Sequence, residues 1–353
     1  MKKVLYLSNI QVPYRVQFFN QLAEYCDLTV VYERSKAGDR DEKWSKSISD
    51  KYKVVFLDGF KIGDESTFSF SILKYILGDY DEIVIGCYST PVGIFANMVL
   101  QIFRRKFFVN FDGEIFAEDN TFKSKIKKIV INGATEYLIA GEKSAESLRS
   151  ILKDKTKKIF PYYFSSLSKK ELIENKEKKV ARDNHILVVG QYFDYKGLDI
   201  AVRAAKELQQ MQFTFVGMGK RTELFVRENA ISDIKNITVI PFLQKEDLEQ
   251  EYMKSALLVL PSRRECWGLV INEAASFGTP IVATKGSGAG IEFLKDQYPM
   301  FLAEIEDVDS LKECIIAAVT MKDKSDLSKY LIDKSAEYTI EHSVQCHLQA
   351  FNI

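Results

Sequence analysis

Short runs of β-branched and aromatic residues alternate with segments of helical spacing along most of the chain, and this rhythm restricts the fold more than any single motif. In the first half the runs are "KVLYLSN", "LTVVYE", "KVVFLD", "EIVIGCY", "KFFVNFD" and "EYLIAG", with "YRVQFFNQLAEYC" and "TPVGIFANMVLQIF" among the helical segments between them. Apolar strands separated by crossover helices are the pattern of a parallel sheet covered on both faces. "KIGDESTFSF" (61–70) departs from it and reads mostly as turn. At 158–185 a proline, a serine cluster and a dense charge run break the rhythm. Such composition reads as a linker running into an exposed tip. The rhythm then restarts with "HILVVGQY", "FTFVGMG", "ITVIPF", "LLVLPS" and "PIVAT".

A chain of 353 residues is too long for one core of the usual size. The expected fold is α/β, with two doubly wound, Rossmann-like domains. The expected division is a first domain over 1–165, a linker over 166–184 and a second domain over 185–335, with a terminal helix over 336–353 packing back on the first. Ligands of such sheets sit beyond the carboxyl ends of the strands, so two such domains facing each other would enclose a cleft.

Several function classes are disfavoured at once. The 49 basic residues balance 49 acidic ones, so nothing in the bulk charge points to nucleic acid. Five widely spaced cysteines without a C-x-x-C fit reduced thiols in a cytoplasmic protein, and three histidines offer no converging metal ligands. No metal site is expected. The N-terminus "MKKVLYLSNIQVPYR" reads as a first strand rather than a signal peptide. The longest apolar stretch, 90–103, is broken by Asn97 and Gln101 and ends at Arg104-Arg105, short of the ~20 apolar residues of a membrane span.

Chemistry is expected at the strand-to-helix turns of the second half. "VVGQYFDYKGLDIAVRAAKEL" (188–208) places Lys196 and Gly197 at the start of a helix whose inner stripe is Leu198, Val202, Ala205 and Leu208. A lysine there opposes the helix dipole, unless a bound anion joins the ammonium and the free N–H groups. A solvated lysine and an anion ligand both fit the position. "FVGMGKR" places Gly217 in a strand-to-turn Gly-x-Gly that permits close backbone approach to a ligand, without the third glycine of a dinucleotide fingerprint. In "SRRECWGLVINEAA" (262–275), Glu265 falls in a loop and Glu273 in the following helix, with Trp267-Gly268 between them. Two solvated charges, or two acceptors for a hydroxyl-bearing ligand, are the readings open.

The order Pro-Ser-x-x-Glu-x-Trp-Gly-Leu-Val-x-x-Glu-Ala (261–274), followed by "FGTPIVAT" and "GSGAG", resembles the donor-binding signature of retaining GT-B glycosyltransferases of the family-4, or "glycosyl transferases group 1", type. "GQYFDYKGLDIAVRAA" and "FVGMG" occur upstream in the order that family shows, and "SNIQVPYRVQFFNQLAE" is similar to members that build bacterial surface polysaccharides. The resemblance covers essentially the whole chain and is most specific over 186–290. It implies a transferase that moves a sugar from a nucleotide diphosphate-sugar. Glu265 would contact the donor sugar and Glu273 the ribose. The amides of Trp267, Gly268, Leu269 and Val270 would hold sugar hydroxyls and phosphate. Lys196 would neutralise the leaving diphosphate without a metal ion or cofactor.

Three departures stand out. Where the family usually carries an arginine, five residues before the lysine, this chain has Gln191, so either the diphosphate clamp is weaker or Arg263 or Arg264 completes it. The glycine pair often seen in the first turn is replaced by "NIQVP". In place of a frequent histidine, "VNFDGE" offers Asp112, which either orients or helps deprotonate the acceptor or simply forms an Asp-Gly turn.

The acceptor that the resemblance implies is a saccharide or a polyprenyl-diphosphate-linked sugar. In "FKSKIKKIVIN" (122–132), Phe122, Ile126, Ile129 and Val130 share a helical face, and Lys123, Lys125, Lys127 and Lys128 cover the rest. That pattern suits either an ordinary surface helix or one lying on the anionic inner face of the cell membrane. A nucleotide-sugar epimerase of the same architecture, or an inactive sugar-nucleotide-binding protein, are the alternatives.

Overall fold

The computed structural model describes residues 1–34, 51–62, 66–113, 122–178 and 181–353. They fall into two units. One comprises the described parts of Met1–Asp112, 122–163 and Ile340–Ile353; the other is Gly113 with Phe164–Thr339.

The first unit contains β1 (Lys3–Ser8), β2 (Asp27–Tyr32), β3 (Lys53–Phe56), β4 (Phe60–Ile62), β5 (Ser66–Phe68), β6 (Glu82–Ile85), β7 (Phe108–Phe111), β8 (Glu136–Ala140) and β9 (Ile159–Tyr162). Seven of these form a parallel sheet in the order β3-β2-β1-β6-β7-β8-β9. Its inner strands are apolar on both faces: Val4, Leu5, Tyr6 and Leu7 of β1 are all buried. The order reverses between β1 and β6, which is where doubly wound sheets bind ligands.

Three local expectations change. The stretch 61–70, expected as turn, contributes to a two-stranded antiparallel pair, β4 with β5. Its partners are tertiary: Thr67 N donates to buried Glu33 Oε1 at 2.7 Å, and Phe68 packs edge-on against Phe95. The supposed break at 158 holds strand β9. Pro161 is accepted there because β9 is at the sheet edge, where one flank needs no hydrogen bonds. The supposed linker 166–184 contains a helix, Lys169–Glu177, opened by a capping box between Ser168 and Glu171, with Leu172 and Asn175 buried.

Helix Phe122–Gly133 does not present a single apolar face outward. Val130 and Ile131 are buried, while Ile129 is 61% exposed. The terminal helix, Ile340–Ala350, packs on helix Pro13–Leu22 and on β9.

The second unit has β10 (His185–Val189), β11 (Gln212–Val216), β12 (Ile237–Ile240), β13 (Leu257–Leu260), β14 (Ile281–Thr284) and β15 (Leu302–Ala303), all parallel in the order β12-β11-β10-β13-β14-β15. Its switch point lies between β10 and β13. Arg182 staples the unit below the sheet: its guanidinium donates to the carbonyls of Ser255 at 3.1 Å and Phe277 at 2.8 Å, the C-caps of helices Lys245–Lys254 and Leu269–Ser276. A cation is favourable at both helix ends.

Candidate functional site

The turns after β10 and β13 meet at this switch point. After β10 the chain makes a short 3-10 turn, Asp194–Lys196, and then enters helix Leu198–Glu207 through Gly197. Gly197 has φ +64, and a Cβ there would lie 2.1 Å from the carbonyl oxygen of Pro261. Only glycine lets these two loops approach so closely. Their approach brings Lys196 to Glu265. Lys196 Nζ donates to Glu265 Oε2, the side chains being largely buried, and Ser262 Oγ reaches the same oxygen at 3.4 Å. The Glu265 backbone is fixed from the other side, its N–H on Gly286 O at 2.8 Å and its carbonyl accepting from Gly288 at 3.2 Å.

Two residues on, Trp267 is 2% exposed. Its Nε1 donates to Asn272 Oδ1 at 2.8 Å, and Asn272 in turn donates to Phe164 O at 3.2 Å. The indole is therefore an anchor in the core, and only its backbone is available to a ligand. Gly268, at φ +103, starts helix Leu269–Ser276 without a side-chain cap. Among the described residues no acceptor is found for the N–H groups of Trp267, Gly268, Leu269 and Val270. A row of open amides at a helix N-terminus suits phosphate or sugar oxygens.

Glu273 sits on the same helix. Ser166 Oγ donates to its Oε1 and Tyr252 Oη to its Oε2, each at 2.8 Å. Burial raises its pKa, with the two hydroxyls and Lys245 opposing. Glu265 and Glu273 thus occupy separate polar pockets of one loop–helix segment, one paired with a cation, the other with hydroxyls.

Residues 169–337, which hold this geometry apart from Phe164 and Ser166, match the family described as Glycosyl transferases group 1. That segment is a glycosyltransferase group 1 domain. An uncharacterized glycosyltransferase of Methanocaldococcus jannaschii is 31% identical over 163 residues, covering 45% of this chain and 44% of that protein. Alpha-galactosylglucosyldiacylglycerol synthase of Streptococcus pneumoniae is 27% identical over 192 residues, covering 52% of this chain and 50% of that protein. The matches therefore span about half the length of these relatives. HepE of Anabaena, solved in complex with UDP, covers 99% of both chains with a TM-score of 0.74 at 15% identity, a likeness of fold. The fold is GT-B.

The remaining sequence candidates separate within the group 1 domain. Arg263 is fully engaged: its two terminal nitrogens clasp Asp199 at 2.7 Å each, one also donates to Asp194 O at 2.6 Å, and Nε pairs with Glu306. Burial pushes the Asp199 carboxyl up, but Arg263 outweighs it and holds that carboxyl below its ordinary range. Arg263 thus braces the turns, its donors taken by Asp194, Asp199 and Glu306. Arg264 is exposed, and its guanidinium has no partner among the described residues. Gln191 is half-buried, and its side chain has no hydrogen-bond partner among the described residues. Gly217 has φ +104 and faces the backbone of Gly190, the turn after β10.

Asp112 belongs to the first unit, directly after β7, and its Oδ1 pairs with Arg15. Sequence reasoning missed Arg15, Ser166 and Tyr252. Arg15 did leave a signal: with Phe18, Phe19 and Leu22 it follows the i, i+3, i+4, i+7 spacing of a buried helix face, so a charge stands at an inward position. Ser166 and Tyr252 left none, being ordinary residues brought to Glu273 by the tertiary fold.

Proposed function

We propose that the chain is a retaining glycosyltransferase that moves a sugar from a nucleoside diphosphate sugar to a hydroxyl of a saccharide or polyprenyl-diphosphate-linked acceptor in surface-polysaccharide synthesis. The observation that carries this reading is the Lys196–Glu265 pair at the switch point of the group 1 domain, beside the open amides of 267–270. UDP-sugars are the donors to try first, since HepE was solved with UDP.

In this mechanism Lys196 turns from Glu265 to the diphosphate and neutralises the charge that grows as the anomeric C–O bond to phosphate breaks. Glu265 accepts hydrogen bonds from the sugar hydroxyls, and Glu273 reads the ribose in exchange with Ser166 and Tyr252. Arg264 supplies the second positive charge in place of the missing arginine. The acceptor oxygen bonds to the anomeric carbon on the face the phosphate leaves, and a phosphate oxygen takes its proton, which retains configuration. The protein groups suffice for leaving-group charge, so no metal ion is needed.

Work at the inner face of the membrane fits the surface of the first unit. Helix Pro91–Ile102 packs on helix Phe122–Gly133, and Met98, Ile102 (75% exposed), Phe103 and Ile129 are exposed, as are Arg104, Lys106, Lys125 and Lys128. No helix among the described residues is long and apolar enough to cross a membrane. Co-sedimentation with anionic phosphatidylglycerol vesicles, lost at high salt, is the expected result.

Incubation with labelled nucleotide sugars tests the activity. Release of free nucleotide is expected. A new nucleotide sugar would mean epimerisation, and binding without turnover would mean an inactive binding protein.

A further inference from the structure

Asp112 rests in a socket that an ordinary surface aspartate does not require. Arg15, buried in the first turn of helix Pro13–Leu22, pairs with Asp112 Oδ1. The same oxygen accepts from Asn110 Nδ2 at 3.0 Å and from Tyr162 Oη at 2.9 Å. The wall behind is aromatic. His347, from the terminal helix, packs edge-on against both Phe18 and Tyr162, and Arg15 lies over the Phe18 ring. Strands β7 and β9 and both helices thus converge on one carboxylate oxygen.

Burying a guanidinium is costly unless its partner and hydrogen bonds are well placed. A half-exposed aspartate gains little from so costly a partner. The Asp112 side chain is 38% exposed, and among the described residues its second oxygen, Oδ2, accepts no hydrogen bond. All the donors hold one oxygen and leave the other outward. This is the partner set of an acceptor held at a fixed angle, which can aim a hydroxyl within a narrow range.

We propose that Arg15 is a positioning residue for glycosyl transfer: it fixes Asp112 so that the free Oδ2 accepts a hydrogen bond from the acceptor hydroxyl and aims its oxygen. Asn110 and Tyr162 complete the socket, and Asp112 orients the hydroxyl without removing its proton. This rests on the glycosyltransferase reading above, with the acceptor taken by the first unit.

The test uses the full chain, with UDP-glucose as donor and water as the simplest acceptor hydroxyl. Arg15→Gln is expected to lower kcat for UDP release about tenfold with the KM for UDP-glucose unchanged, because only acceptor alignment is lost. Asp112→Asn is expected to match it, the double variant to fall no further, and Arg15→Lys to recover part of the rate. The pH–rate profile should keep its shape in Asp112→Asn. Should Arg15→Gln fail to fold, Tyr162→Phe removes one donor without changing charge and is expected to lower kcat by about two- to threefold.

Wild-type kcat in Arg15→Gln or, if that fails to fold, in Tyr162→Phe would overturn the proposal. So would losses that multiply in the double variant, or loss of the acid limb of the pH profile in Asp112→Asn, which would make Asp112 a base. A wild type that does not turn over UDP-glucose overturns the UDP-sugar donor reading along with the proposal. Turnover that depends on Lys196 but is indifferent to Arg15 overturns the proposal alone.

Discussion

Lys196 and Glu265 in the second unit, and Arg15 and Asp112 in the first, are both cation–carboxylate pairs near the carboxyl ends of parallel strands, yet they are assembled differently. Lys196 and Glu265 meet because two backbone turns meet, at Gly197 against Pro261. Arg15 and Asp112 meet through side chains, drawn from a helix after β1 and the end of β7 and braced by Asn110, Tyr162 and His347. The first kind of site is local in the chain and depends on glycine. The second is distributed and depends on a packed wall. A backbone-built site fails when a turn is blocked, whereas a side-chain-built one erodes as single donors are removed.

The largest effect is expected where the backbone-built pair loses its cation. Lys196→Ala should lower kcat/KM for the donor by roughly 10²–10³-fold in steady-state nucleotide-release assays, the scale for removing a group that stabilises developing charge. Near-normal turnover would separate this pair from the chemistry. Next comes the turn itself. Gly197→Ala adds a Cβ 2.1 Å from Pro261 O at φ +64, and by strain alone should cost roughly 1–3 kcal/mol in urea unfolding. A variant as stable as wild type would show that the loops need not be so close.

The two neighbouring arginines sharpen the comparison further. Arg264→Gln should raise the donor KM about tenfold with Tm unchanged, the loss of one exposed charge–phosphate contact. Arg263→Gln should do the reverse, lowering Tm by releasing Asp199 and Glu306. Equal kinetic effects would mean that Arg263 is also at the ligand.

The smallest effect is at Glu273, whose pKa burial raises above its ordinary 4.5. The folded chain therefore holds this proton more tightly than the unfolded one, and the contribution to stability falls as pH rises from about 4.5 through the raised value. Glu273→Gln should flatten that dependence and slightly raise Tm at neutral pH while weakening nucleotide binding. Thermal melts across pH, paired with calorimetric titration, would show it. A fall in Tm would mean that the carboxylate's bonds to Ser166 and Tyr252 outweigh its desolvation.

The strand–helix rhythm made both sheets legible, because parallel strands buried on two faces must be apolar throughout, as "KVLYLS" and "HILVV" are. Lys196, Glu265 and Glu273 stand out as candidates in the sequence because each sits in a short run whose glycines, aromatic and helix start lie within a few residues. Less could be read where tertiary partners decide. The β4–β5 pair depends on Glu33 and Phe95, and β9 tolerates Pro161 only because it is an edge. The Ser168-x-x-Glu171 capping box was present but lay inside a charge run that looked like linker. Arg263 and Arg264 are adjacent and alike in sequence; only the positions of Asp199 and Glu306 distinguish brace from free cation.

The most direct measurement is the thermal shift produced by UDP in the wild type and in Lys196→Ala. At a hundred times Kd a nucleotide that binds only the folded chain contributes about 2.7 kcal/mol, a shift of several degrees. The expected result is such a rise in the wild type that largely disappears in Lys196→Ala. No shift with UDP, GDP or ADP, or an equal shift in both proteins, would contradict a diphosphate site at Lys196 and Glu265.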